Sequence, residues 1–418
     1  MNAHPIVESS PAARAYPRWA GWRGLVLVLI LAGVLRWLAI VRQPLGVEID
    51  GLGYWTMAAN WVDGNGFVDH AGNRAFLNPG YGWFLAGLFQ VFGMGLSVGA
   101  YANLVLGLWS VALCYRLGGL LGGKMVGLAA AFFWAVYVPA VAYTPFLAKE
   151  NLQIPLILWS LCLGLEWVRN PLAWWRAGGL GAVTGMLALV AMTGTLFGVM
   201  GLVVRCALPG HGRSGLRQAL LWGTGVLVFV LPWLWRNERV LGAPVLNTNS
   251  GLNLFLGNRE GATLDYQGLE GTEFQAEWHR VRSAEGEVAV DRLARQKART
   301  YIREHPGHTL RLWFERFWRF WMPPGWSSDG VEGAEAHARR IWWIQWVGLL
   351  CGALLAWRVP RTAALLWVCA LVWALAHAPF FVMSRFQLPV VPLLCVLTAL
   401  GLFAGSPRNG SGPARASG

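Results

Sequence analysis

The chain has 418 residues, of which 56% are hydrophobic and only 13% charged, with 26 tryptophans; this excludes an ordinary soluble domain and points to a polytopic membrane protein. A net charge of +13 would suit nucleic acid, but the arginines sit in short turns between apolar runs and no basic face is interleaved with aromatics, so nucleic acid is set aside as a partner. Cys114, Cys162, Cys206, Cys351, Cys369 and Cys395 lie in or beside apolar runs with no C-x-x-C, which indicates neither a zinc site nor a disulfide framework.

Arg14, Arg18 and Arg23 precede the first apolar stretch, Gly24 to Val41. Its length, and the lack of a small-x-small cleavage site after it, predict an uncleaved first span with the N-terminus inside. Arg36, near its outer end, is expected to snorkel to the headgroups. A first outer loop, 42–80, follows and carries Glu48, Asp50 and Tyr54. The next apolar segment, Tyr81 to Met94, is short and is expected to lie at the interface or re-enter.

Further runs of spanning or near-spanning length occupy roughly 100–117, 125–142, 152–168, 177–208, 218–235, 341–357, 362–380 and 387–404, against ~20 residues for one crossing. With 81–94 left out of the count, Arg116, Lys124, Arg169, Arg176, Arg205, Arg213, Arg217, Arg358, Arg361, Arg408 and Arg415 all fall inside, as the positive-inside bias requires. The residues from Ala177 to Leu208 must then go out and return, with Met192-Thr193-Gly194-Thr195 as the break. About ten crossings result, with both termini inside, and every acid except Glu8 and Glu166 lies on the outer side.

The chain thus divides into an N-terminal transmembrane module (1–235), an extracytoplasmic cap (236–340), C-terminal transmembrane helices (341–404) and a cytoplasmic tail (405–418). In the cap, Thr272 to Pro306 holds the pairs Glu287/Arg292, Asp291/Arg295 and Arg299/Arg303 and reads as one solvated helix stopped by proline. Leu310 to Trp321 alternates aromatics with arginine and suits an interfacial helix. The glycine pairs at 118–119, 122–123 and 178–179 lack the Lys-Ser/Thr of a phosphate loop and read as helix-end and close-packing residues.

Four stretches carry a family resemblance: Asp50-x-x-x-Tyr54 followed by Ala58 to Phe67; Asn78-Pro79-Gly80-Tyr81; Pro232 to Asn237 running through Asn247 to Leu254 and on to Gly257-Asn258; and Ser384 to Pro392. In this order they resemble the GT-C glycosyltransferases, specifically the protein O-mannosyltransferase-like family that includes the aminoarabinose transferase of lipid A. The resemblance implies an all-α GT-C fold in a bacterial inner membrane, with interfacial helices, a small cap and an active site facing the periplasm. It implies a glycosyltransferase that moves a sugar from a polyprenyl-phosphate donor to a lipid, glycan or protein acceptor, with membrane lipids around it. In that family the acid of the first outer loop is catalytic, as base for the acceptor or as metal ligand, and the role carries over to Asp50. A divalent metal ion is thus an option and no cofactor is certain. The family's adjacent second acid is absent, because position 51 is glycine; Glu48 is its nearest substitute, either at the site or solvated in the loop.

The chemistry supports the same residues. A sugar on a polyprenyl phosphate already has a good leaving group, so one base for inverting attack and cations for the departing phosphate suffice. Asp50 fits the base, its plainer role being a helix cap. Glu150, which also resembles a family acid, would contact sugar or acceptor, and Lys149 the lipid phosphate; the alternative is that the two anchor each other at the interface. Arg385 faces outward against the positive-inside trend and suits a phosphate, or else a headgroup. Arg236, Asn258 and Tyr54 are further substrate-binding candidates, with anchoring and turn roles open to the first two. His377 reads as a satisfied core histidine. The rival function is a transporter or flippase of a lipid-linked glycan, which should show two related halves and acids deep in the bundle.

Overall fold

The computed structural model describes residues 21–43, 45–47, 49–170, 173–207, 212–323 and 334–404. Within them the chain is all-α. The first half runs α1 (Trp22–Arg42), α2 (Ile49–Val62), α3 (Gly80–Phe92), α4 (Leu96–Gly122), α5 (Lys124–Ala135) and a short α6 (Val138–Ala142). It continues with α7 (Glu150–Arg169), α8 (Trp175–Val190), α9 (Thr195–Ala207) and α10 (Gly212–Leu241). The cap contributes α11 (Ser250–Gly257), α12 (Phe274–Glu285), α13 (Glu287–Glu304) and α14 (Pro306–Phe320); α15 (Ala334–Leu354), α16 (Pro360–His377) and α17 (Val391–Phe403) return to the bundle.

Among the described residues six helices are long and apolar enough to cross a membrane, and four shorter ones, α5, α8, α9 and α17, are also apolar. This is a multi-pass membrane protein. At ~1.5 Å per residue, the 13 residues of α3 fall short of the ~30 Å hydrocarbon core. The run 177–208 does break at Met192–Gly194, a single 3₁₀ turn between α8 and α9. Glu166 pairs with Arg116 through a 2.7 Å hydrogen bond and lies 3.8 Å from Arg176, so the ends of α4 and α7 and the start of α8 gather basic residues at one end of the bundle. The N-termini of α2 and α7 lie at the other.

Small residues let these helices touch. A Cβ on Gly118 would come within 2.9 Å of Gly127, and one on Gly185 within 2.8 Å of Val226, which locks α4 to α5 and α8 to α10 as expected for helices packed without a hydrophobic drive between them. Trp134, Trp346 and Trp373 fill the core around α17, whose residues are buried nearly throughout.

Two expectations fail here. Arg36 does not snorkel: it is 1% exposed, packed against Gly107 of α4, and donates to the carbonyls of Ala32 (3.4 Å) and Ala135 (3.2 Å). The glycine opens a seat in the bundle and the frayed end of α5 supplies the acceptor. Nor is Thr272 to Pro306 one helix. Gly286 takes φ +88°, a left-handed conformation that suits glycine alone and parts α12 from α13, while Pro306 opens α14 at a position where its missing N–H costs nothing. The Asp291–Arg295 pair does form, at 2.8 Å. On α14 Leu310, Phe314 and Trp318 form an exposed apolar stripe, while Leu312, Arg316 and Phe320 face inward, the amphipathic pattern of an interfacial helix.

Candidate active site

Asp50 lies in the first turn of α2, where the exposed N–H groups favour a carboxylate. The neighbouring glycine has a packing reason: a Cβ at position 51 would stand 2.9 Å from the carbonyl of Leu147, so α2 and the 143–149 turn touch through backbone. One turn on, Tyr54 is buried with its ring edge-on to Tyr81 at 5.3 Å. The Tyr81 hydroxyl donates to Asn103 (2.9 Å), whose amide donates to the carbonyls of Thr144 (3.2 Å) and Phe146 (2.8 Å). Asn151 adds bonds to the carbonyls of Tyr143 and Phe146, each at 3.2 Å. This lattice fixes the turn that delivers Lys149 and Glu150 to the start of α7.

Arg385 arrives from the opposite side, on the 3₁₀ turn Ser384–Gln387 between α16 and α17. That turn is tied down by Gln387, which donates to the carbonyls of Phe320 (2.5 Å) and Met322 (2.9 Å), and by Trp373, which donates to that of Phe386 (2.8 Å). Arg385 Nη1 then meets Asp50 Oδ2 at 2.7 Å. Asp50, Tyr54, Lys149, Glu150 and Arg385 line one small pocket, together with Gly51 and residues 146–148.

The charges are balanced locally but not exhausted. Burial works against the Arg385 guanidinium, yet the neighbouring Glu150 and Asp50 carboxylates hold it above its ordinary value. Burial, with Asp50 and Glu150 next, pushes the Tyr54 phenol well up, so it stays a neutral donor. Glu150 is only 3% exposed; its Oε2 and the Nε of Arg385 have no hydrogen-bond partner. Buried polar atoms left open cost ~1–3 kcal/mol each, which marks a place where a ligand or water belongs. Glu150 also borders a second chamber, beside Arg36, Ser110 and Trp134.

The other candidates from the sequence go elsewhere. Arg236 stacks on Trp233 at 4.7 Å and donates to the carbonyls of Arg74 (2.8 Å) and Phe67 (3.1 Å) and to Asn237 (2.7 Å); it holds the first outer loop and does not line the pocket. Asn258 is 1% exposed, donates to the carbonyls of Leu254 and Pro379 and accepts from Trp313 at 2.8 Å, so its amide is committed to joining cap and bundle. Glu48 lies outside the described residues. His377 is a core residue, with Nδ1 2.8 Å from the Trp373 carbonyl and aromatic rings around it. Sequence reasoning passes over Asn103 and Asn151, although an asparagine inside an apolar run is itself a signal. Among the described residues no three of His, Cys, Asp and Glu converge to hold a metal ion; the positive charge beside Asp50 is supplied by Arg385 and Lys149.

The fold has known counterparts. The archaeal oligosaccharyltransferase AglB from Archaeoglobus fulgidus, in complex with an inhibitory peptide and a dolichol-phosphate, superposes with a TM-score of 0.55 at 12% identity, covering 92% of this chain and 50% of that one. The Archaeoglobus fulgidus oligosaccharyltransferase tethered via a disulfide bond to an acceptor peptide containing the NVT sequon gives 0.56 at 12% identity, over 92% and 50%. The chain has the GT-C fold of membrane glycosyltransferases. It spans about half the length of these oligosaccharyltransferase chains. Residues 69–235 match the family described as dolichyl-phosphate-mannose-protein mannosyltransferase. ArnT from Cupriavidus metallidurans bound to undecaprenyl phosphate aligns at a TM-score of 0.45 and 14% identity, over 91% of this GT-C chain and 78% of its own. A comparison with curated proteins returned no match.

Proposed function

We propose that this protein is an inverting glycosyltransferase of the bacterial inner membrane, which takes a sugar from a polyprenyl-phosphate donor at its periplasmic face and passes it to a lipid, glycan or protein acceptor. The observation that carries this reading is the 2.7 Å Asp50–Arg385 pair set in one pocket with Lys149 and Glu150. A base and cations lining one pocket suit this transfer, because the nucleophile must lose a proton on one side of the anomeric carbon while phosphate departs on the other.

In the proposed step the acceptor hydroxyl gives its proton to Asp50, its oxygen bonds to the anomeric carbon, and the bond from that carbon to the phosphate oxygen breaks. The electron pair leaves with the polyprenyl phosphate. Arg385 has an unpartnered Nε–H as well as donors beyond the one on Asp50, and with Lys149 it neutralises the departing anion. Glu150, with one free carboxylate oxygen, orients a sugar or acceptor hydroxyl. Asp50 then releases its proton to water.

The test is product analysis with purified protein, membrane lipid and glycan extracts, and a panel of labelled undecaprenyl-phosphate sugars. Transfer with inverted anomeric configuration supports the reading. Movement of the intact labelled lipid across a vesicle membrane with no transfer would replace it with the transporter reading.

A further inference from the structure

The cap loop between Asn258 and Phe274 reaches back to the segment that leads into the Arg385 turn, and it is tied at several points. Asp265 pairs with Val382 in a parallel bridge, supported by a 2.9 Å bond from the Val382 amide to the Leu264 carbonyl. From α14, the buried Arg316 donates to the Thr263 carbonyl through Nε (3.2 Å) and Nη2 (2.6 Å), and Arg319 lies 3.7 Å from Asp265. Val382 is three residues before Arg385, so the bridge fixes the loop against the very turn that carries the phosphate candidate.

This scaffold presents Tyr266. Its ring stands edge-on to Phe381 at 5.0 Å, and Phe381 packs on Phe386, the residue beside Arg385, at 5.9 Å. Phe381 is buried, yet Tyr266 is 48% exposed. Burial first, then the Glu270 carboxylate of its own loop and that of Asp50, push its phenol up, against the pull of Arg385. A core tyrosine would be covered, and a merely solvated one would not sit on a loop pinned from both α14 and the Arg385 turn. A half-exposed aromatic face held on the segment that carries Arg385 matches a sugar ring, whose C–H face carries slight positive charge and whose hydroxyls take hydrogen bonds.

We infer that Tyr266 is a specificity-determining residue, on which the sugar of the donor stacks while its phosphate lies toward Arg385. The inference rests on the polyprenyl-phosphate-donor reading above. It separates the two halves of the donor: the lipid phosphate is held by cations, the sugar by a cap-borne aromatic face whose loop can differ without disturbing the base.

The experiment compares binding of undecaprenyl phosphate and of a panel of its hexosyl and pentosyl esters to the full chain in nanodiscs. Wild type, Tyr266→Ala, Tyr266→Phe and Tyr266→Trp are measured, with folding checked by the thermal transition. The expected result is that one ester binds wild type more tightly than the bare phosphate, that Tyr266→Ala removes about tenfold of that gain, and that bare phosphate binding does not move. Tyr266→Phe and Tyr266→Trp retain most of the gain. Equal weakening of bare phosphate and ester by Tyr266→Ala overturns the inference and makes Tyr266 a phosphate contact. A gain that survives Tyr266→Ala overturns it as well. If wild type binds neither bare phosphate nor any ester, the donor reading itself falls and takes the inference with it.

Discussion

The joint between cap and bundle and the pocket around Asp50 draw on the same residue types, and they use their polar atoms differently. At the joint, Glu287 accepts from the amides of Arg74 and Ala75 and the hydroxyl of Thr248 at 3.1–3.2 Å, and Asn258 and Arg236 are committed to backbone carbonyls; within the cap, Asp291 accepts from the Gly251 amide and Arg295. In the pocket, Asp50 and Arg385 hold each other while Glu150 Oε2 and Arg385 Nε stay open. A charged residue at this end of the protein is thus structural where its atoms are taken by backbone, and a candidate for chemistry where they face a cavity unpaired.

Substitutions can sharpen or break that contrast. The largest effect short of losing the base is expected at Arg385: alanine should lower transfer by ~10²–10³-fold and weaken undecaprenyl phosphate binding, with lysine restoring only part, since it lacks the planar fork. Unchanged binding would detach Arg385 from the phosphate. Glu150→Gln keeps the shape of the side chain and should cost about tenfold or more in kcat with an unaltered thermal transition; a lowered transition with normal kcat would move Glu150 to the structural class. Asn258→Ala should do the reverse, lowering stability by ~1–3 kcal/mol because Trp313 Nε1 and the Pro379 carbonyl lose their partner, while transfer per folded molecule holds.

The smallest effect is a pH dependence at the joint. Burial raises the Glu287 carboxyl above its ordinary value, against the pull of its hydrogen bonds to Arg74, Thr248 and Ala75. A group whose folded pKa is raised contributes most below its unfolded value, near 4.5, and that contribution fades as pH climbs through the folded one. The gap in thermal transition between wild type and Glu287→Ala should therefore be widest in acid and narrow toward neutrality; a gap that widens toward neutrality would contradict the assignment.

Much of this contrast is legible in the chain alone, for an identifiable reason. Asp50, Lys149, Glu150 and Arg385 stand out as charges at the ends of apolar runs on the side where basic residues are scarce, and the change of direction at 192–195 follows from the sorting of arginines. Arg236 and Asn258 belong to the same run of motifs, but whether their donors are free depends on carbonyls at Phe67, Arg74 and Pro379, far away in sequence. Arg36 is similar: its burial is decided by Gly107 of another helix. The division at Gly286 and Pro306 escapes a reading by pattern because proline marks helix starts as well as stops. Tyr266 gives no signal in the sequence, since only the bridge to Val382 brings its loop to the segment that carries Arg385.

The most direct measurement is the single-turnover rate of sugar transfer by wild type and Asp50→Asn in the same nanodiscs, with undecaprenyl phosphate binding measured in parallel. The account predicts a loss of ~10²-fold or more in transfer with lipid-phosphate binding retained. Equal transfer by the two proteins would contradict it and remove Asp50 from the chemistry.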